Sequence, residues 1–137
     1  HQGQAGIEAF LDDYAYLAWG LLECFHSTGK RDYLQQAATV LDILKQRFQD
    51  KQQGGVFFTP LDREPFVTRC QETYDGAMPS GGSVAAYAFA LLAAKEQDQG
   101  AGETSRELLQ SVAGRLQDMP TGHSFWLCAL DRILEAA

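Results

Sequence analysis

The stretch Phe10–Phe48, FLDDYAYLAWGLLECFHSTGKRDYLQQAATVLDILKQRF, decides the fold class. Apolar side chains at Phe10, Tyr14, Leu17, Leu21, Leu22 and Phe25 recur at helical spacing. Gly29 supplies a stop, because glycine tolerates the left-handed backbone that ends a helix. Asp32 with Gln35 reads as a capping box opening a second helix. That helix carries Tyr33, Ala37, Val40, Leu41, Leu44 and Phe48 on one face. Two helices joined by so few residues pack antiparallel, so the stretch is an αα-hairpin.

Working outward, Gly54-Gly55 break the pattern, and Val56-Phe57-Phe58-Thr59 favour a strand. With Phe66-Val67-Thr68 as the return, a small β-hairpin is expected near 55–68. A connection this long between helices is usually functional. A third helix is expected from Pro79-Ser80, with Ser80 as N-cap, fading between Gln97 and Gly102. Thr104 with Glu107 reads as the capping box of a fourth helix, closed by Asp118–Gly122. A fifth runs from about His123 to the end. The first, third and fifth helices open on special clusters, whereas the second and fourth carry routine caps and more charge. Such alternation suits stacked αα-hairpins with one helix of each pair presenting its end to a cavity.

The 137 residues bound the chain to one domain, 1–137. A formal net charge of −7 argues against nucleic acid and against an anionic membrane surface as partners. The longest apolar run, Val84–Ala94, falls short of the roughly 20 residues a membrane span needs. Residue 1 is His, and no signal sequence follows, so a processed chain or a fragment is expected. Cys24, Cys70 and Cys128 form no CxxC pair. Reduced, mostly buried thiols in a cytoplasmic protein are expected, with no metal site and no cofactor.

Three clusters carry candidate chemistry. In Tyr74–Ser83, Gly81 and Gly82 disfavour a helix interior by about 1 kcal/mol each, so the backbone there approaches a ligand or another helix closely. Asp75, Ser80 and Ser83 place a carboxylate and two hydroxyls at that helix start. Asp12 and Asp13 are adjacent carboxylates suited either to the helix dipole or to a cavity. They point about 100° apart, so a catalytic partner would come from another helix, as Asp75. His123 suits proton transfer or a structural contact. Arg69 suits a carboxylate ligand or an ion pair. Tyr14 and Trp126 suit sugar stacking or the core.

These clusters carry a resemblance. Ala9–Leu17 with Gly20–Glu23, Gly54–Thr59, Arg69–Ala77, Pro79–Ala85 and Ala129–Asp131 follow, in order, motifs of the YyaL family, the spermatogenesis-associated protein 20-like group. The resemblance implies an all-α fold of antiparallel hairpins, the later part of an (α/α)6 toroid related to N-acylglucosamine 2-epimerase and six-hairpin glycosidases. It also implies an N-terminal thioredoxin-like domain elsewhere in the full protein. The pattern departs at two places: Cys70-Gln71 replace Pro-Lys, and Gly82 replaces an asparagine.

The resemblance implies carbohydrate-active chemistry, with Asp13, Asp75 and His123 as catalytic groups. Asp12, Tyr14, Arg69, Ser80, Ser83 and Trp126 would then bind a sugar or other small molecule. The alternative is a non-catalytic docking module for a client of the thioredoxin-like domain. Apolar faces left uncovered in a partial ring imply a homodimer or higher assembly.

Overall fold

The computed structural model describes residues 8–62 and 68–135. Five α-helices account for most of them: α1 Leu11–Thr28, α2 Arg31–Phe48, α3 Gly81–Glu96, α4 Gln99–Asp118 and α5 Ser124–Glu135. A 3-10 turn, Pro120–His123, leads into α5. The all-α class stands. Among the described residues no helix is long and apolar enough to cross a membrane.

The helices form two rows. In the first, α3 lies between α1 and α5; in the second, α2 and α4 cover the outer side. The first-row helices are parallel, since their N-termini meet around Asp75 and Asp12. The second row runs the other way. Lys45 reaches Thr104 and Gln49 reaches Glu107, so α2 and α4 advance together. Alanine-rich α3 is buried on nearly every side, and its small residues let both neighbours approach closely. The core joins Leu11, Ala15, Ala18 and Leu22 of α1 to Leu34, Leu41, Leu44 and Phe48 of α2. Val84, Phe89, Leu108, Val112, Trp126 and Ala129 continue it.

Helix ends agree with the sequence where a backbone signal sets them. Gly29 ends α1 at φ 69°, and its N–H reaches the Phe25 carbonyl at 2.8 Å. Ser80 caps α3, accepting from Ser83 N. Both expected capping boxes are corrected. α2 starts at Arg31 behind Lys30, with no side-chain cap. α4 starts a turn early, behind Asp98, whose carboxylate accepts from Ala101 N. Thr104 instead bonds the Gly100 carbonyl and receives Lys45 Nζ.

The expected β-hairpin is corrected too. Gly54 and Gly55, at φ 77° and 84°, fold the chain back onto the end of α2. Val56 makes an isolated antiparallel bridge to Gln49, and Phe57 N donates to the Phe48 carbonyl. Phe58 N pairs with the Cys70 carbonyl. No sheet forms among the described residues, and Phe66 and Val67 of the expected return lie outside them. The cysteines are a further correction: Cys24, Cys70 and Cys128 are free but exposed, on turns of α1 and α5 and on a loop that face water.

Candidate functional site

Asp75 stands where two helix N-termini converge. It is 7% exposed. Its Oδ1 accepts from Ser80 N at 2.8 Å, Ser80 Oγ at 3.1 Å and Ser83 Oγ at 2.6 Å. Its Oδ2 accepts from Phe125 N at 2.8 Å and Trp126 N at 3.4 Å. The N–H groups at a helix start lack intrahelical partners, so one carboxylate satisfies both α3 and α5. The acceptor capacity of Asp75 is taken up inside the fold, and Ser80 and Ser83 are drawn into the same knot.

The other expected site residues divide. Asp13 is exposed and accepts from Phe10 N at 2.8 Å, capping its own helix. His123 is buried. Its Nδ1 donates to the Met119 carbonyl at 2.9 Å, which leaves Nε2 to accept from Thr73 Oγ1 at 3.4 Å. Trp126 is 1% exposed, with Nε1 donating to the Thr73 carbonyl at 2.9 Å, so its ring fills the core and offers no open face. Tyr14 lies on the other side of α1, where its hydroxyl accepts from Arg47 Nη1 at 2.9 Å. Arg47 also pairs with Glu8 and Asp62. Arg69 donates from Nη2 to the Leu61 carbonyl at 3.0 Å. Asp75, Ser80, Ser83, His123 and Trp126 are thus brought together; Asp13, Tyr14 and Arg69 are not.

The two glycines make room for helices, not for an open ligand channel. A Cβ on Gly81 would collide with Asp12 Oδ1 and press on Leu11. A Cβ on Gly82 would lie 2.9 Å from Trp126 Cζ2. The space an asparagine would occupy at position 82 is therefore filled by the indole. Gln71, the other departure, donates to the Gly54 carbonyl at 2.9 Å and to Asp50 Oδ2 at 3.2 Å, tying the returning loop to the glycine turn.

A second set of residues forms a face that the sequence reading missed. On α1, Asp12, Tyr16, Trp19, Glu23 and His26 recur at i, i+4, i+7, i+11 and i+14, one stripe beside the core stripe. Trp19 meets Tyr87 of α3, centroids 5.9 Å apart and edge-on, and Phe125 of α5 at 5.1 Å. Tyr87 and Phe125 lie 5.1 Å apart, and Tyr16 flanks Trp19 at 6.2 Å. These rings are half-buried. Trp19 Nε1 donates to Glu23 Oε1 at 3.0 Å, and Tyr16 OH donates to the Pro79 carbonyl at 2.8 Å. The periodicity of the stripe was readable in the sequence. What it lacked was the partner helix, because Phe125 rather than its neighbour Trp126 turns to this side.

Electrostatics set Asp12 apart at the upper end of this face. Burial pushes its carboxyl above the usual carboxylate range, and the nearby charges of Glu72 and Asp13 push the same way. Only a hydrogen bond from the Gly81 backbone opposes them. The Tyr16 hydroxyl is also raised, by burial first and then by Asp12 and Asp75. A half-buried carboxyl with a raised pKa keeps its proton to higher pH than an exposed one, and while protonated it can donate as well as accept. Among the described residues, no group of three His, Cys, Asp or Glu side chains is arranged to hold a metal ion.

The fold and this face define the class: an all-α unit of paired helices with an aromatic and carboxylate-bearing side. The chain is 29% identical over 131 residues to an uncharacterized protein of Caenorhabditis elegans, a match covering 96% of this chain and 18% of that protein. It is 33% identical over 79 residues to spermatogenesis-associated protein 20 of Rattus norvegicus and of Homo sapiens, covering 57% of this chain and 10% of each. The chain therefore spans less than a fifth of the length of these curated relatives. No family model matches it.

Proposed function

We propose that this chain forms one wall of a saccharide-binding cavity in a larger protein, as part of an α/α toroid like those of epimerases and six-hairpin glycosidases. The observation that carries the reading is the stripe of Asp12, Tyr16, Trp19 and Glu23 facing Tyr87 and Phe125. Aromatic rings take the C–H faces of a sugar while flanking carboxylates accept from its hydroxyls. Asp12, with its raised carboxyl, takes the proton-transfer role for which Asp13 and Asp75 were the first candidates. Asp75, Ser80 and Ser83 act as positioning residues that fix the helix starts around it. Free thiols fit a reducing compartment such as the cytoplasm.

The test is a panel of mono- and disaccharides titrated while tryptophan emission is followed. Trp126 is enclosed, so a ligand on this face changes the Trp19 signal. A saturable change that Trp19→Leu and Asp12→Asn abolish is the expected result. No response to any saccharide overturns the reading. A second reading, docking of a protein client, is favoured by Tyr74, Met78 and Met119, all more than half exposed. Binding of apolar peptides in place of saccharides would select it.

A further inference from the structure

At the far end of the same face, the C-terminal halves of α1, α3 and α5 line an open cavity of about 150 Å³. His26 comes from α1, Lys95 from α3 and Arg132 from α5, over a floor of Leu22, Leu91 and Tyr87. We infer that this cavity binds a small oxyanion, the carboxylate or phosphate head group of a compact organic molecule. The site stands beside the saccharide reading and does not need it.

The donors here outnumber the acceptors. Among the described residues, Lys95 and His26 make no hydrogen bond or ion pair. Arg132 gives Nη1 to Glu135 at 2.8 Å and Nε to Tyr87 OH at 3.4 Å, which leaves Nη2. The acceptor on the rim is Glu23, and one of its oxygens already holds Trp19 Nε1. An occupant that brings two or three acceptor oxygens completes the set. The guanidinium of Arg132 lies 5.9 Å over the Tyr87 ring, which orients its fork before anything binds.

Basic residues in last turns often do no more than offset the helix dipole. At the end of α1, Gly29 N donates to the Phe25 carbonyl at 2.8 Å, while Ser27 Oγ and Thr28 Oγ1 donate to the Glu23 and Cys24 carbonyls a turn back, at 2.9 and 2.6 Å. Among the described residues, the His26 side chain bonds none of these carbonyls. In a chain of net charge −7, this cavity gathers basic side chains from three helices, with Glu23 on its rim and Glu135 beside Arg132 as the acidic groups. The apolar floor sets the size: it accepts a few carbon atoms behind the head group.

The experiment is a titration followed by amide NMR at fixed ionic strength, with inorganic phosphate and butyrate as separate probes. Saturable shifts confined to the surroundings of His26, Tyr87, Lys95 and Arg132 are expected. Lys95→Met and Arg132→Gln should each weaken binding about tenfold. Lys51→Met, remote from the cavity, should leave it unchanged. Both replaced side chains are exposed, so the fold survives the changes. Phosphate binding more tightly points to a phosphorylated ligand, and butyrate to an organic acid. Absence of saturable binding by either probe, or binding that Lys95→Met leaves intact, overturns the inference.

Discussion

Asp75 Oδ2 accepts the backbone N–H of Phe125 at 2.8 Å, joining a loop before α3 to the first turn of α5 fifty residues later. The same carboxylate holds Ser80 and Ser83 through Oδ1, so a single side chain fixes the relative position of two helix starts. Asp75→Ala leaves those buried donors without an acceptor. The expected cost is about 3 kcal/mol of folding stability. Urea denaturation checks it: a loss below about 1 kcal/mol would mean that water replaces the carboxylate readily.

That staple marks the limit of what the sequence disclosed. Helices were legible because periodicity is local, as was the Ser80 cap, whose acceptor lies three residues from its donor. The Asp75–Phe125 contact is not local, and no pattern within either segment announces it. The two expected capping boxes that do not form have a related cause. Asp32 and Thr104 carry the right residue type, but tertiary packing starts α2 and α4 elsewhere and draws Thr104 to Lys45. At the site, Trp126 takes the core alternative, and the ring that faces Trp19 is its neighbour Phe125. A helix turns 100° per residue, so Trp126 points into the core while Phe125 joins Trp19.

Two glycines within helices should respond oppositely to alanine. Gly114 of α4 has open space where a Cβ would go, so Gly114→Ala should stabilise by up to about 1 kcal/mol through helix propensity. Gly82 meets the enclosed indole of Trp126 at 2.9 Å, and Gly82→Ala should destabilise by about 2 kcal/mol despite the same propensity gain. Thermal melts of the two variants decide the sign. Repeating Gly82→Ala in a Trp126→Phe background should recover much of the loss, because the colliding atoms are gone; an unchanged penalty would locate the strain elsewhere.

Leu127, Leu130 and Leu134 remain exposed along α5, which among the described residues is covered on its outer side only in part, by α4. An apolar stripe of this kind drives association. The chain by itself should therefore self-associate, and Leu130→Lys with Leu134→Lys should shift it toward monomer without lowering its melting temperature. Light scattering across a hundredfold concentration range tests this. A monomer at the highest concentration would mean that the stripe is tolerated in water.

Asp12 gives stability a pH dependence whose sign follows from its raised carboxyl. Burial, then Glu72 and Asp13, hold its folded-state pKa above its ordinary value of 3.8. Between that value and the higher folded one, the native chain binds more protons than the unfolded chain. Stability contributed by this group is therefore present below 3.8 and lost as pH rises through the folded pKa. Asp12→Asn keeps an oxygen for the Gly81 N–H and removes the charge. The variant should match the parent in urea melts near pH 3 and exceed it near pH 7. An Asn variant less stable than the parent at pH 7 would show that the ionised carboxylate earns more from Gly81 than it loses to burial and its acidic neighbours.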